Sequence, residues 1–530
     1  MTLNKKLANQ PIPWFGMGMV GVFLVSLALR FWGLGRFNTL VFDEVYFAKF
    51  ANNYLTHKPF FDGHPPLSKY IIAIGIWIGS HAPWVANAPK NALTGSLLAP
   101  WSYRWVDALT GSLIPLVVAA IAYQLSRCRS YALIAGIFAA ADGLFLVESR
   151  YALNNVYLVI FGLLGQLCFL LALNQPGQRR RLWLVLAGIG FGASASVKWN
   201  GLGFLLGIYL IWAVAWILQL AQSFRLRVKH PAKLAKTPFP GLTSDLSGTK
   251  LSHLRGIRTP LQNLTQINVV SLLVYLGAIP VIFYGLIWIP HLQLNPSLNF
   301  WQLQQKLLEY HESVGGNLPK VHPYCSPWYT WLLMIRPIAY FYQTARNLTD
   351  PLALAGPPLP TNAVKVVYDV HAIGNPVLWW LSTTAMVLFI GLLLWMLVQR
   401  IQAGVTSIQA AIPQQQKSWV QTTGGVGLQS IPTWVALYLV LNYAANLLPW
   451  VDVNRCTFLY HYMGASVFAA LAIAWIVNYW LHSTQRRLRA IGVTIIFLVL
   501  LAFVFWMPIY LGLPLSPESL RLRMWLRSWV

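Results

Sequence analysis

The chain has 530 residues, of which 57% are apolar and 10% charged, with a mean hydropathy of +0.55. Soluble domains carry about a quarter charged residues, so a water-soluble globular enzyme is excluded; four cysteines cannot staple a secreted disulfide scaffold of this length, and disorder needs the opposite composition. What is left is a polytopic membrane protein, whose formal charge of +25 is dispersed between apolar stretches and not gathered into a nucleic-acid patch.

The first apolar run, about 14–34, follows Lys5 and Lys6 and lacks the small-residue cleavage site of a signal peptide, so it reads as a retained span. Ten more candidates follow at about 103–125, 131–147, 152–173, 182–197, 200–220, 268–290, 376–398, 431–449, 457–480 and 491–511, eleven in all. With a cytoplasmic N-terminus, the inside loops carry Arg127 and Arg129, then Arg179 to Arg181, then Arg486, Arg487 and Arg489. The longer inside loop 222–266 carries eight Lys/Arg against one acid, Asp245, and 399–430 reads as a polar inside linker. This arrangement puts the C-terminus outside. Of thirteen acids only Asp245 lies in an inside loop; acids contribute little to orientation, so chemistry on the outer face is one reason for the bias.

Two long outside segments stand out, 36–100 and 291–375. Within the first, Phe42, Tyr46, Phe50 and Tyr54 recur near helical spacing over Val41–Thr56, and Leu67–Gly79 is an apolar run opened by Pro65 and Pro66. That run is too short to cross roughly 30 Å of hydrocarbon, so both read as helices lying in the interface.

Asp43-Glu44 sits just beyond the end of the first span. An adjacent carboxylate pair at the membrane surface costs desolvation unless it has partners or work. Helix capping is the plain reading; the functional one is a carboxylate that takes a proton from an acceptor hydroxyl beside another that orients substrate or loop. His64-Pro65-Pro66-Leu67, after Asp62, is a rigid turn that opens the second interfacial helix, His64 being either its cap or a hydrogen-bond donor to the same cavity. Arg104, Arg150 and Lys198 lie at the outer ends of spans, where they snorkel by default or, three on one face beside an acidic loop, grip a lipid phosphate. Lys198-Trp199-Asn200-Gly201 is a tight polar turn whose backbone must be satisfied by protein or by a wet cavity. Pro449-Trp450 and Arg455 through Tyr462 read mainly as an aromatic belt at a span mouth, with His461 deeper than a belt residue should be.

There is no Gly-rich phosphate loop of Walker or dinucleotide type and no Cys/His spacing of a metal site, so no nucleotide, cofactor or metal is expected. Cys128, Cys168, Cys325 and Cys456 are dispersed and read as ordinary apolar residues, with a Cys325–Cys456 bridge left open. A transporter would place ionisable groups near mid-membrane on broken helices in two related halves. Here they gather at one face, and only Asp107 falls within a span, where pairing with a nearby cation is expected.

Together these residues resemble the protein O-mannosyltransferases that use a polyprenyl-phosphate mannose donor. The likeness rests on FDEVYFAKF (42–50), HPPLSKYIIAIG (64–75), YRWVDALTGSLIP (103–115), DGLFLVESRY (142–151), SVKWNGL (196–202), AIGNPVLWW (372–380), and LPW followed by RCTFLYHYM (448–463), in order over nearly the whole chain. It implies an all-α polytopic membrane protein of the C-type glycosyltransferase fold, a single domain over 1–530 with about eleven transmembrane helices and interfacial helices in the first outside loop. It also implies inverting transfer of mannose at the outer face to Ser or Thr hydroxyls of secreted or membrane proteins. Carried over by position, Asp43 matches the family's catalytic acid, Glu44 its neighbour, and Arg104 an arginine important for activity. His64, Arg150 and Lys198 fall in motifs that line the donor and acceptor cavity, and Asn200 and His461 join the expected substrate-binding set. In the implied mechanism Arg104 and Lys198, with Arg150, stabilise charge on the departing phosphate while Asp43 deprotonates the acceptor hydroxyl.

The chain departs from the family pattern at SRYALNNVY, where Asn155 stands in place of the usual Asp and a second carboxylate is missing from that turn. The outside segment 291–375 is too short for the β-trefoil insertion of the fungal and animal enzymes, so the chain resembles a bacterial-type member of the plasma membrane, its site facing the periplasm or exterior. The other enzyme reading is a sibling lipid-linked sugar transferase acting on a glycolipid.

Overall fold

The computed structural model describes residues 13–229, 263–316, 321–345, 366–409 and 431–529. Most of the expected basic loop 222–266 and of the polar linker 399–430 lies outside the described residues. In chain order the main helices are α1 Trp14–Phe31, α2 Glu44–Leu55, α3 Leu67–Ser80, α4 Pro100–Ser126, α5 Arg129–Ala140, α6 Gly143–Glu148, α7 Asn155–Leu173 and α8 Gly177–Ala195. They continue with α9 Leu202–Lys229, α10 Val269–Leu294, α11 Phe300–Ser313, α12 Pro376–Gln409, α13 Ile431–Leu447, α14 Met463–Leu481 and α15 Arg486–Leu511.

Among the described residues nine helices are long and apolar enough to cross a membrane: α1, α4, α7, α9, α10 and α12 to α15. The other two expected spans are helical but shaped differently. The run 131–147 breaks at Ala141-Asp142, where the Asp142 carboxylate accepts from the Phe145 N–H at 3.1 Å and starts α6 as a new helix. The second, α8, has 19 residues but opens on Arg179, Arg180 and Arg181, which lowers its hydropathy; at 1.5 Å per residue it is about 28 Å long. The expected interfacial helices are present as α2 and α3, 12 and 14 residues long, about 18 and 21 Å and too short to span.

α7 and α8 meet through small residues: a Cβ on Gly190 would sit 2.8 Å from the Gly165 nitrogen, the close backbone approach that membrane helices use in place of a hydrophobic drive. In α10 the residues Leu272–Ala278 form a π-helical stretch just before Pro280. Pro280 has no N–H for the carbonyl one turn back, and the Tyr209 hydroxyl donates to that Leu276 carbonyl at 2.5 Å, tying α9 to α10.

Two small sheets modify the all-helical expectation. β1 Asn91–Leu93 and β2 Ser96–Leu98 form a hairpin whose turn residues Thr94 and Gly95 have positive φ (40° and 95°). β3 Ile338–Ala345, β4 Val366–Ala372 and β5 Pro514–Leu515 form an antiparallel sheet, with every residue of β4 buried. The β-branched and aromatic content of VVYDVHA suits a strand covered on both faces.

At one end of the bundle the ends of α1, α8 and α10 meet the starts of α2, α3, α4, α7 and α9. The Leu67 N–H donates to the Ser196 carbonyl at 3.1 Å, the Ala152 N–H to Glu44 at 2.9 Å and the Lys198 ammonium to Asn155 at 3.0 Å. The candidate residues gather there.

Candidate active site

Arg104 sets the frame. It stands in the second turn of α4, fully buried, and its five N–H groups are all used. Nε donates to Glu44 Oε1 at 2.8 Å and Nη2 to Glu44 Oε2 at 2.7 Å; the remaining bonds go to the carbonyls of Leu34 (3.1 Å), Phe37 (3.0 Å) and Thr39 (2.7 Å). Glu44 in turn accepts from the N–H of Val41 at 2.8 Å and of Ala152 at 2.9 Å. A buried ion pair recovers its desolvation cost only when its remaining polar sites are satisfied. Here every donor on the guanidinium is met, and the connection from α1 to α2 is held by it.

That connection ends in Phe42, a bulky residue in the left-handed region (φ 51°). Its ring lies on Tyr340 with centroids 4.3 Å apart and planes 9° from parallel, which holds the turn and delivers Asp43 to the cap position of α2. The Asp43 side chain makes no cap hydrogen bond. It lines a cavity of about 450 Å³ together with Asp62, His64, Lys198, Arg455 and Tyr460. Burial raises its carboxyl to about 6, against the pull of the Lys198 ammonium.

Lys198 follows α8, almost fully buried, with Nζ 3.0 Å from Asn155 Oδ1 and 5.0 Å from the centre of the Tyr460 ring. Burial lowers its ammonium to about 8, opposed by Asp43 and Glu148. The 62–64 turn is fixed by buried Lys69, which pairs with Asp62 and donates to the His64 carbonyl at 2.8 Å. A Cβ on Gly63 would fall 2.1 Å from the Tyr310 ring, so any larger residue there displaces that ring of α11. That helix starts with a reciprocal capping box between Asn299 and Gln302 and brings His311 to within 5.4 Å of His64, ring to ring. Burial lowers both imidazoles, His311 to about 4, so neither carries charge at neutral pH.

A second cavity, about 560 Å³, opens between α9 and α13 and is lined by Asn200, Leu202, Leu205, Leu206 and Tyr209. It shares one wall with the first: His64, Lys198, His311, Arg455 and His461 belong to both. Arg455 reaches this wall because Cys456 is bonded to Cys325 and its N–H donates to the Gly315 carbonyl at 2.8 Å. His461 stacks on Trp331 at 5.9 Å.

Of the eight residues expected from the sequence, Asp43, His64, Lys198, Asn200 and His461 line the cavities. Glu44, Arg104 and Arg150 line neither. A three-cation cradle is therefore not what the chain assembles. Arg104 is committed to Glu44 and the loop, and Arg150 Nη1 donates to the carbonyls of Leu29 (2.7 Å), Arg30 (3.2 Å) and Trp32 (2.7 Å), where a cation complements the C-terminal dipole of α1. Asp107 accepts from the Tyr157 hydroxyl at 2.8 Å and the Leu153 N–H at 3.2 Å, and among the described residues it forms no ion pair. The cation that joins Lys198 is Arg455, which read as part of an aromatic belt. Its place directly before Cys456, with Cys325 free to pair, was the available signal. Together the two cavities offer two cations for an anion, an ionisable carboxylate for a proton, and neutral imidazoles for hydroxyls.

Residues 20–294 match the family model described as dolichyl-phosphate-mannose-protein mannosyltransferase, and residues 297–529 match the C-terminal four TMM region of protein-O-mannosyltransferase. The polyprenol-phosphate-mannose–protein mannosyltransferase of Mycolicibacterium smegmatis is 24% identical over 97% of this chain and 93% of its own. The Corynebacterium glutamicum protein of the same name is 24% identical over 88% of this chain and 81% of its own. Among solved structures, the S. cerevisiae protein O-mannosyltransferase Pmt1–Pmt2 complex bound to the sugar donor superposes with a TM-score of 0.69 at 14% identity, covering 98% of this chain and 93% of that one; this likeness is one of fold.

Proposed function

The chain belongs to the protein O-mannosyltransferase family, and on that premise we propose how its two cavities divide the reaction. It is an integral membrane glycosyltransferase that moves mannose from a polyprenyl-phosphate mannose to protein hydroxyls. The leucine-lined cavity between α9 and α13 takes the prenyl chain, Lys198 and Arg455 on the shared wall take the phosphate, and the acceptor segment enters beside Asp43. The observation that carries this is the shared wall itself: an apolar cavity and a polar one meet at two cations, with the carboxylate on the polar side only.

Asp43 accepts the proton of the Ser or Thr hydroxyl as that oxygen attacks the anomeric carbon. The bond from that carbon to the phosphate oxygen breaks, and its electron pair leaves with the phosphate, where Lys198 and Arg455 stabilise the charge. One displacement inverts the anomeric centre, so a single base is enough, unlike the paired carboxylates of a retaining glycosidase. His64, His311 and His461, uncharged, are suited to hydrogen-bonding the sugar hydroxyls.

The site faces the exterior of a bacterial plasma membrane. Support comes from the Cys325–Cys456 disulfide, whose Cys456 lines the polar cavity, a bond that persists in oxidising compartments, and from the basic residues at the opposite ends of the spans. The deciding experiment pairs purified enzyme with radiolabelled polyprenyl-phosphate mannose and a Ser/Thr peptide, with lipid acceptors as the contrast. Transfer to peptide that is lost in a well-folded Asp43→Asn enzyme supports the reading; near-normal transfer by that variant overturns it.

A further inference from the structure

Behind the cavity wall a buried chain of contacts leads to Lys198 through residues that the reaction above does not use. Tyr340 donates its hydroxyl to Glu148 Oε1, Asn155 Nδ2 donates to Glu148 Oε2 at 3.0 Å, and Asn155 Oδ1 receives the Lys198 ammonium at 3.0 Å. At its other end the Tyr340 ring carries Phe42, the residue before Asp43. Among the described residues Glu148 takes part in no salt bridge, though it is fully buried. An unpaired buried carboxylate is costly unless its oxygens are met by donors, as Tyr340 and Asn155 meet these.

An Asn side chain has two ends of nearly equal shape and opposite hydrogen-bonding character. Glu148 removes that ambiguity: an acceptor at Oε2 compels the amide nitrogen to face it, which leaves the oxygen facing Lys198. We propose that Glu148 is a positioning residue for the donor phosphate, acting through Asn155 to hold the Lys198 ammonium on the cavity wall against a neutral oxygen. Held by an amide and not by a carboxylate, the ammonium keeps its full charge for the phosphate. The acid missing from position 155 is thus supplied at one remove, from seven residues earlier in the chain.

The inference rests on the donor reading above, so the test begins with wild-type transfer and with Lys198→Ala, whose donor KM must rise. Glu148→Leu, which frees the amide, should raise donor KM by about tenfold, the scale of one hydrogen bond to a charged group, with kcat and peptide KM nearly unchanged. Glu148→Gln, which keeps an acceptor for Asn155, should restore donor KM to within about threefold of wild type. Asn155→Asp should also raise donor KM by about tenfold, because a carboxylate on Lys198 competes with the phosphate. Where Glu148→Leu does not fold, Tyr340→Phe replaces it: its effect on donor KM must vanish in an Asn155→Ala background. A folded Glu148→Leu enzyme with wild-type donor KM, equal behaviour of the Leu and Gln variants, or an unchanged donor KM in Asn155→Asp overturns the inference. Absence of any transfer by wild type, or no response to Lys198→Ala, overturns the donor reading instead.

Discussion

Glu44 and Arg104 form a two-pronged ion pair, Nε to Oε1 at 2.8 Å and Nη2 to Oε2 at 2.7 Å, with neither side chain exposed. Next to it in the chain, Asp43 has no cap to make and opens onto the cavity. On the proposed reading the two adjacent acids hold opposite jobs, one structural and one chemical, and substitutions should separate them.

Arg104→Ala leaves a buried carboxylate without its partner and three carbonyls without a donor, a loss of about 3–5 kcal/mol. Thermal unfolding in detergent should show a marked fall in Tm for Arg104→Ala and for Glu44→Ala, and Arg104→Lys should not restore it, because an ammonium cannot reproduce the planar fork. Asp43→Asn should keep the wild-type Tm while losing transfer by at least about a hundredfold, the usual scale for a lost general base. A wild-type Tm in Arg104→Ala, with only donor KM raised, returns Arg104 to the phosphate.

The pH dependence follows from two groups on one cavity. In the proposed mechanism Asp43 works as the carboxylate, the form present above its raised value of about 6, and Lys198 as the ammonium, the form present below its lowered value of about 8. Donor-limited transfer should therefore rise through the first value, fall through the second, and peak between them. Lys198→Arg should remove the alkaline limb, since a guanidinium stays charged throughout. Transfer that keeps rising above the second value in wild type speaks against a lysine acting as a cation.

How much of this was legible follows from what a sequence encodes. Depth along a span can be read from an apolar run, so Arg104, Arg150 and Lys198 were correctly set at one end of the bundle. Azimuth cannot, because it depends on which neighbouring groups lack partners. Arg150 is drawn to the carbonyls ending α1 and Arg104 to Glu44, and only Lys198 faces the cavity. Arg455 hid for another reason: it reaches the wall because its neighbour Cys456 is bonded to Cys325, 131 residues away. Glu148 hid inside an apolar hexapeptide, GLFLVE, where one acid reads as an interruption. The residues at 366–372 lay in a long outside segment with no hairpin signal to announce a strand.

The two cavities should respond separately. Leu206→Trp adds bulk to the apolar cavity and Tyr46→Ala removes a half-exposed ring from the polar one. The first should raise donor KM and leave peptide KM alone; the second should raise peptide KM by about threefold, within the range of one aromatic contact, and leave donor KM alone. Exchanged effects reverse the assignment of the cavities. A single parameter moved by both variants means one continuous site.

The Cys325–Cys456 disulfide joins structure, chemistry and sidedness in one test. It closes a loop of 131 residues, and cross-links of that span stabilise by about 2–5 kcal/mol, largely by restricting the unfolded chain. Its second cysteine follows Arg455 directly, and the Thr457 carbonyl accepts from the Ser326 N–H at 2.8 Å, so the bond pins the segment that carries Arg455, the second cation of the proposed phosphate site. Replacing both cysteines by serine should lower Tm and raise donor KM, whereas Arg455→Ala should raise donor KM with Tm unchanged. In intact cells, a dithiol followed by a membrane-impermeant thiol reagent should label Cys325 and Cys456, while Cys128, in the turn between α4 and α5 at the opposite end of α4, stays unlabelled until the membrane is opened. Labelling of Cys128 from outside, with the other two protected, inverts the orientation and puts the phosphate wall on the cytoplasmic face, where a polyprenyl donor for exported proteins could not meet its acceptor.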